Sequence, residues 1–355
     1  MIALDQGDAP GPIWAPIGRL LEPAYRFAIN RRNRAFDAGK GVVTLDRPVI
    51  SVGNLSVGGT GKTPMVQRLV EELRASGRSP CVAMRGYKAA PGEAADEEAA
   101  YRRLFPGVPV VAQPDRVAGL RALFETDAGR AVDCVVLDDG FQHRRIERAL
   151  DIVLLDASRG ALDGRLLPAG WLREPVGSLA RAHAVVLTHA EMVEDGALRA
   201  LTECVRAASP RALIATTRHA WAGLDVEDDD GSHERPVEEL SGRRVFVVCA
   251  IGHPHALAAG VSRAGGELTG MIRLPDHDDY TPKTVERIAR AVGGSRAELL
   301  LTTDKDWSKL QRVPRDRWPC PVVRPRLELG FDGAEGGALF ALATVAAGST
   351  AGAGA

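Results

Sequence analysis

The 355-residue chain is 45% hydrophobic and 26% charged, an ordinary globular composition with enough length for two domains. A formal net charge of −1 excludes a global field that draws in nucleic acid. The five cysteines are odd in number and form no Cys-x-x-Cys pair, which excludes a disulfide framework or a cysteine zinc site and suits a reducing cytosol.

Residues 1–12 read as disordered, and no apolar run of about 18 residues or signal-peptide core occurs. From Ile13 to Lys40, Trp14, Ile17, Leu21, Tyr25 and Ala28 recur at helical spacing. Arg19, Arg26, Arg31, Arg32, Arg34 and Lys40 give the segment a basic face, opposed only by Glu22 and Asp37. Pro16 and Pro23 are expected to kink or divide the helix. A basic amphipathic segment with Trp and Tyr suits the surface of an anionic membrane, and it equally suits a helix packed on its own domain with a solvated face.

The stretch Pro48–Pro64 organises the rest. Val49–Val52 is an apolar run that predicts a buried strand, and Met65, Leu69, Val70 and Leu73 predict the helix after it. Between them lies Ser56-Val57-Gly58-Gly59-Thr60-Gly61-Lys62-Thr63, laid out as a phosphate-binding loop. Gly58, Gly59 and Gly61 permit positive φ, so successive backbone N–H groups can point at a polyphosphate. The helix N-terminus adds partial positive charge, Lys62 can reach the β and γ phosphates, and Thr63 can ligate Mg2+. Ser56 stands where the usual pattern has its first glycine. Pro64 fits the first helical turn, where its missing N–H costs nothing.

Further strands are predicted at Pro80–Met84, Val108–Ala112, Cys134–Leu137, Asp151–Asp156, His183–Thr188 and Ala212–Thr217. Helices are predicted from Asp96 to about Leu104, from Pro114 to about Phe124 and from Val193 to about Ala207. The alternation indicates a parallel sheet covered by helices on both faces. Asp138-Asp139 closes the fourth apolar run, where a carboxylate beside the phosphate loop would hold Mg2+ directly or through water.

Residues 220–242 are acidic and turn-rich, read as a linker or hairpin. A second alternation follows, with strands at Val245–Ala250, Leu268–Arg273 and Glu298–Leu301 and helices from about His255 and Thr281. The expected division is therefore an N-terminal segment (1–40), a P-loop α/β domain (41–219), a connecting hairpin (220–242), a smaller α/β domain (243–330) and a C-terminal helix with a disordered tail (331–355). Leu274–Tyr280 piles three acids around His277, and Thr302–Asp306 also follows a strand; each fits either a ligand site or a capped turn.

Val52–Pro64, Arg85-Gly-Tyr87, Asp138-Asp-Gly-Phe-Gln-His143, Leu167-Pro-Ala-Gly170 with Leu172-Arg-Glu-Pro175, Asp276-His277 and Thr303–Asp306 together resemble the tetraacyldisaccharide 4'-kinase family, from about Trp14 to about Leu329. Departures are Trp171 within the Leu-Pro-Ala-Gly stretch, His253, Asp278, and Asp304 where Glu is commoner. The resemblance implies ATP- and Mg2+-dependent phosphorylation of the lipid A disaccharide precursor at the cytoplasmic face of the Gram-negative inner membrane. It implies two α/β domains, contact with the membrane through the N-terminal segment, and no obligate protein partner. It assigns Asp138, Asp139 and Glu174 to the metal side. It also implies that Asp96 and His277 pair as the base for the sugar hydroxyl, a poor nucleophile that a carboxylate–histidine pair can deprotonate as the phosphoryl group transfers.

Two other classes fit parts of the chain. A nucleotide-dependent ATPase or GTPase switch would use the same loop, but Asp304-Lys305-Asp306-Trp307 is the nearest approach to an Asn-Lys-x-Asp guanine signature. A catalytically idle membrane-binding module would have no need of the Lys62, Thr63 and Asp138 set.

Overall fold

The computed structural model describes residues 14–86, 96–159, 162, 164–251, 254–275 and 278–349. They pack as two units: the residues up to Arg218 together with those from Gly330 onward, and His219–Leu329.

The first unit begins with α1 (Trp14–Asp37), a single helix despite its prolines. Pro16 lies in the first turn, where no donor is missed, and the loss at Pro23 is offset by anchors along the helix. The closest approach is at Gly18, where a Cβ would come within 2.8 Å of the Pro168 carbonyl oxygen. Then follow β1 (Val49–Asn54), α2 (Lys62–Ala75), β2 (Pro80–Met84), α3 (Asp96–Leu104), β3 (Val110–Ala112), α4 (Arg116–Phe124), α5 (Asp127–Arg130) and β4 (Cys134–Asp138). Next are β5 (Leu150–Asp156), β6 (Ala184–Thr188), α6 (Asp195–Ala208) and the long β7 (Leu213–Asp228).

Here the strands pair in the order β7-β6-β5-β1-β4-β2-β3, every pair parallel. The valine-rich runs are buried from end to end in β1, β2, β4, β5 and β6, as strands covered on both faces must be. Successive strands fall on opposite sides of β1, and such a reversal opens a crevice at the carboxyl ends of the strands. In that crevice the phosphate loop leaves β1 and enters α2, which buries Met65, Val66, Leu69, Val70 and Leu73.

In the second unit, the outer part of β7 forms an antiparallel hairpin with β8 (Gly231–Arg235), turning at Gly231 with φ 110°. It continues through β9 (Arg244–Cys249), α7 (Pro254–Arg263), β10 (Glu267–Arg273), α8 (Pro282–Gly294), β11 (Leu299–Leu301), α9 (Asp304–Leu310) and β12 (Val322–Phe331). Its strands pair parallel in the order β10-β9-β11-β12. The Thr281 hydroxyl caps α8 by accepting from the Thr284 N–H, and Val285, Ile288 and Val292 form its buried stripe. The chain then returns to the first unit as α10 (Glu335–Gly348), which packs on α2, β1 and β4. The start and the tail beyond 349, both expected to be disordered, lie outside the described residues.

Three elements exceed the sequence expectation. β7 runs past the expected strand end at Thr217 to Asp228, where Leu224–Asp228 pair with β8 rather than coil. β12 was not expected, since Pro325 interrupts its apolar pattern. Thr303–Asp306 is a helix cap: the Thr303 hydroxyl accepts from the Asp306 N–H and α9 follows.

Candidate active site

The phosphate loop takes the backbone its sequence demands. Gly58 (φ 108°) and Gly61 (φ 79°) occupy the left-handed region, and Gly61 caps α2 without any side-chain hydrogen bond. The first N–H groups of α2 are therefore left for a ligand. Ser56 needs no such freedom: it sits in an antiparallel bridge with Leu172. The Val57 N–H is committed to the Trp171 carbonyl at 2.9 Å, so that amide serves the loop's shape. Thr60 is also structural, its hydroxyl accepting from Asn54 (3.0 Å) and its carbonyl from the Thr188 hydroxyl at the end of β6 (3.1 Å).

The acids arrive from β4. Register pairs Asp138 with Val52 of β1, which sets it beside the strand that feeds the loop. Asp138 is buried, and Tyr101 of α3 donates to its Oδ2 at 2.9 Å. Asp139 adopts φ 50° and turns toward the cations. Lys62 Nζ lies 3.6 Å from its Oδ1, and Arg173 donates to both oxygens at 3.0 and 2.9 Å. The Asp139 carbonyl accepts from the buried Arg116 at 3.2 Å. Burial raises the Asp139 pKa, but Lys62, Arg173 and Arg116 together outweigh it, and the carboxyl is held below its usual range. Gln142 donates to the Asn54 carbonyl at 2.9 Å, fixing the end of β1 from the same turn.

Lys62, Thr63, Asp138 and Asp139 thus gather around one loop. Hydroxyl and carboxylate oxygens are the donors Mg2+ takes when phosphates complete its shell, so the set fits that ion. Glu174 has its own set of partners. It is fully buried, and its oxygens accept from Arg32 (3.2 Å), Asn33 (2.8 Å) and Arg181 (2.9 Å), which binds it to α1. Asp96 opens α3, but its side chain and the whole of Asp276, His277 and His253 lie outside the described residues. In the second unit, Lys309 donates to the Asp278 carbonyl at 2.9 Å, and buried Asp306 accepts from the Ala250 N–H at 3.2 Å.

Sequence reasoning gave no role to Tyr101, Arg116, Arg173, Gln142 or Thr188. Gln142 and Arg173 stand inside motifs already singled out; Tyr101, Arg116 and Thr188 carry no local signal, because only the sheet brings them to the loop.

A parallel sheet with this loop, lysine and acid pair defines a P-loop protein of the kinase kind. Residues 14–336 match the family described as tetraacyldisaccharide-1-P 4'-kinase (LpxK). The chain is 35% identical to the tetraacyldisaccharide 4'-kinase of Anaeromyxobacter dehalogenans (strain 2CP-C), over 85% of this chain and 84% of that one. It is also 35% identical to the enzyme of the same name from Geobacter sulfurreducens, over 86% and 88%. Among solved structures it is similar to LpxK from Aquifex aeolicus in complex with ATP, with 31% identity, a TM-score of 0.69 and coverage of 92% and 98%. The chain belongs to the tetraacyldisaccharide-1-P 4'-kinase family.

Proposed function

We infer that this protein transfers the γ-phosphoryl group of ATP to the 4'-hydroxyl of a tetraacyldisaccharide 1-phosphate, forming the bisphosphorylated lipid A precursor. The observation that carries this reading is a family match running almost the whole chain and containing an intact Lys62–Asp139 loop cluster.

In this reading the amides at the start of α2 cradle the phosphates, and Lys62 leaves Asp139 to neutralise charge on the β and γ oxygens. Thr63, Asp138 and Asp139 would hold Mg2+, which would supply charge neutralisation for the phosphoryl transfer. The proton of the sugar hydroxyl passes to His277, with Asp96 as its carboxylate partner, both assigned by family resemblance.

The acceptor's acyl chains call for a lipid surface. Among the described residues no helix is long and apolar enough to cross a membrane. On α1, Leu20 and Phe27 are 79% and 70% exposed, next in sequence to Arg19 and Arg26, which supports peripheral binding to an anionic bilayer. ATP as donor favours the cytoplasmic face of the inner membrane.

The test is phosphate transfer from ATP to a tetraacylated glucosamine disaccharide 1-phosphate in detergent micelles. Transfer to the distal sugar, absent in Asp138→Ala and reduced in His277→Ala, is the expected result. Unchanged turnover in His277→Ala removes the base role alone. Hydrolysis without acceptor phosphorylation returns the protein to the switch class.

A further inference from the structure

The Arg165–Glu174 segment holds the phosphate loop with one side and α1 with the other. Toward the loop, the Arg173 N–H donates to the Leu55 carbonyl and the Val57 N–H donates to the Trp171 carbonyl, both at 2.9 Å. Toward α1, the Tyr25 hydroxyl donates to the Arg173 carbonyl at 2.9 Å. The Leu166 N–H donates to Glu22 Oε1 at 3.4 Å, and Asn33 donates to Glu174 Oε2 at 2.8 Å. One residue, Arg173, is thus tied to α1 through its carbonyl, to the loop through its amide, and to Asp139 through its guanidinium. The Tyr25 ring packs on the buried cluster that contains Leu55, Phe141, Leu166 and Leu172.

The far end of the loop is fixed independently, by α2 and by the Thr188–Thr60 bond. Gly58 and Gly59 between the two ends are exposed, so the shape they offer a polyphosphate depends on where those ends are held. Glu174 adds stiffness: separating it from Asn33 and Arg32 would weaken the pairing of a buried carboxylate.

We propose that Tyr25 and Asn33 of α1 are positioning residues for ATP, setting the entry of the phosphate loop and the Arg173–Asp139 pair through the Arg165–Glu174 strap. This rests on the reading that the loop holds ATP. The helix proposed to meet the membrane is by this route also tied to the nucleotide site.

The experiment uses the full chain in detergent micelles, comparing the parent with Tyr25→Phe, Asn33→Leu, Leu20→Ser and Lys62→Ala. ATP binding without acceptor, KM and kcat for ATP, and the thermal midpoint are measured on each. Tyr25→Phe and Asn33→Leu are expected to raise Kd and KM for ATP about 3- to 10-fold, the scale of one lost hydrogen bond. A merely structural loss would shrink the folded fraction and the apparent kcat while leaving KM where it was. Leu20→Ser, on the exposed face of the same helix, should keep the parental ATP affinity. Should Asn33→Leu fail to fold, Tyr25→Phe, which removes a single oxygen, decides. An ATP Kd within about twofold of the parent in folded Tyr25→Phe overturns the proposal, since a lost hydrogen bond should exceed that. If Lys62→Ala also binds ATP as the parent does, the underlying reading of the loop fails instead.

Discussion

Tyr101 of α3 donates its phenolic proton to Asp138 Oδ2 across 2.9 Å, so a buried acid at the end of β4 is oriented from a different helix. Both side chains are withdrawn from solvent, where a lost hydrogen bond is felt at full strength. Tyr101→Phe keeps the ring and removes that bond. We expect kcat to fall about 3- to 10-fold and the Mg2+ needed for half-maximal ADP release to rise by a similar factor. A Mg2+ titration of turnover checks it, and an unchanged curve refutes it.

Lys62 is expected to matter for more than affinity. It lies 3.6 Å from Asp139 and opens α2 at the end of the phosphate loop. Lys62→Met should cost about a thousandfold in phosphate transfer, on the scale of removing a preorganised charge from a transition state. Arg173 and Arg116 still hold Asp139, so the fold should survive. Transfer assays beside a thermal melt separate the two effects.

His143 supplies a pH prediction. Burial first, and then Arg116, Arg148 and Arg145, push its pKa down to about 4, with Asp115 opposing weakly. Its Nε2 is buried without a hydrogen-bond partner among the described residues. The unfolded chain takes up this proton near its ordinary pKa and the folded chain does not, so stability is complete above about pH 6.5 and declines as pH falls toward 4. With the group partly exposed, the loss is about 1–2 kcal/mol. His143→Gln should flatten the acid limb of stability between those values while leaving the neutral plateau within about 1 kcal/mol. Urea melts across pH measure both.

Among the described residues, Leu20 and Phe27 project uncovered from α1. Burying such a side chain in the interface contributes about 1.5–3 kcal/mol, so Leu20→Ser and Phe27→Ser should each weaken binding to anionic vesicles about tenfold or more. Added salt should weaken binding further through Arg19 and Arg26. Vesicle sedimentation at two ionic strengths is the measurement. Equal binding by the parent and both variants would remove α1 from the membrane contact.

Much of the first unit was legible in the chain itself, because parallel strands buried on both faces announce themselves as short valine-rich runs. Val49–Asn54 and Pro80–Met84 are examples, and the second coincides with its expected limits. The glycine loop was legible for the same local reason. The partners of Glu174 were not: Arg32 and Asn33 lie far back in the chain and no spacing could reveal them. Ser56 looked like a defect in the loop until its bridge to Leu172 showed an extended residue where glycine has no task. β7 and β12 were hidden because their pairing, not their apolar pattern, makes them strands: half-buried Asp225, Glu227 and Asp228 of β7 pair with β8, and Pro325 breaks the rhythm of β12.

The position of α10 bears on how the protein is made. This helix covers α2 and touches β1 and β4, the three elements that frame the phosphate loop, and Arg218 clasps Asp332 where the chain returns to them. It is synthesised after the whole of His219–Leu329. The nucleotide unit therefore cannot close its core until the whole of His219–Leu329 has been made. During that interval the apolar back of α2 lacks its cover, the kind of surface through which incompletely folded chains aggregate.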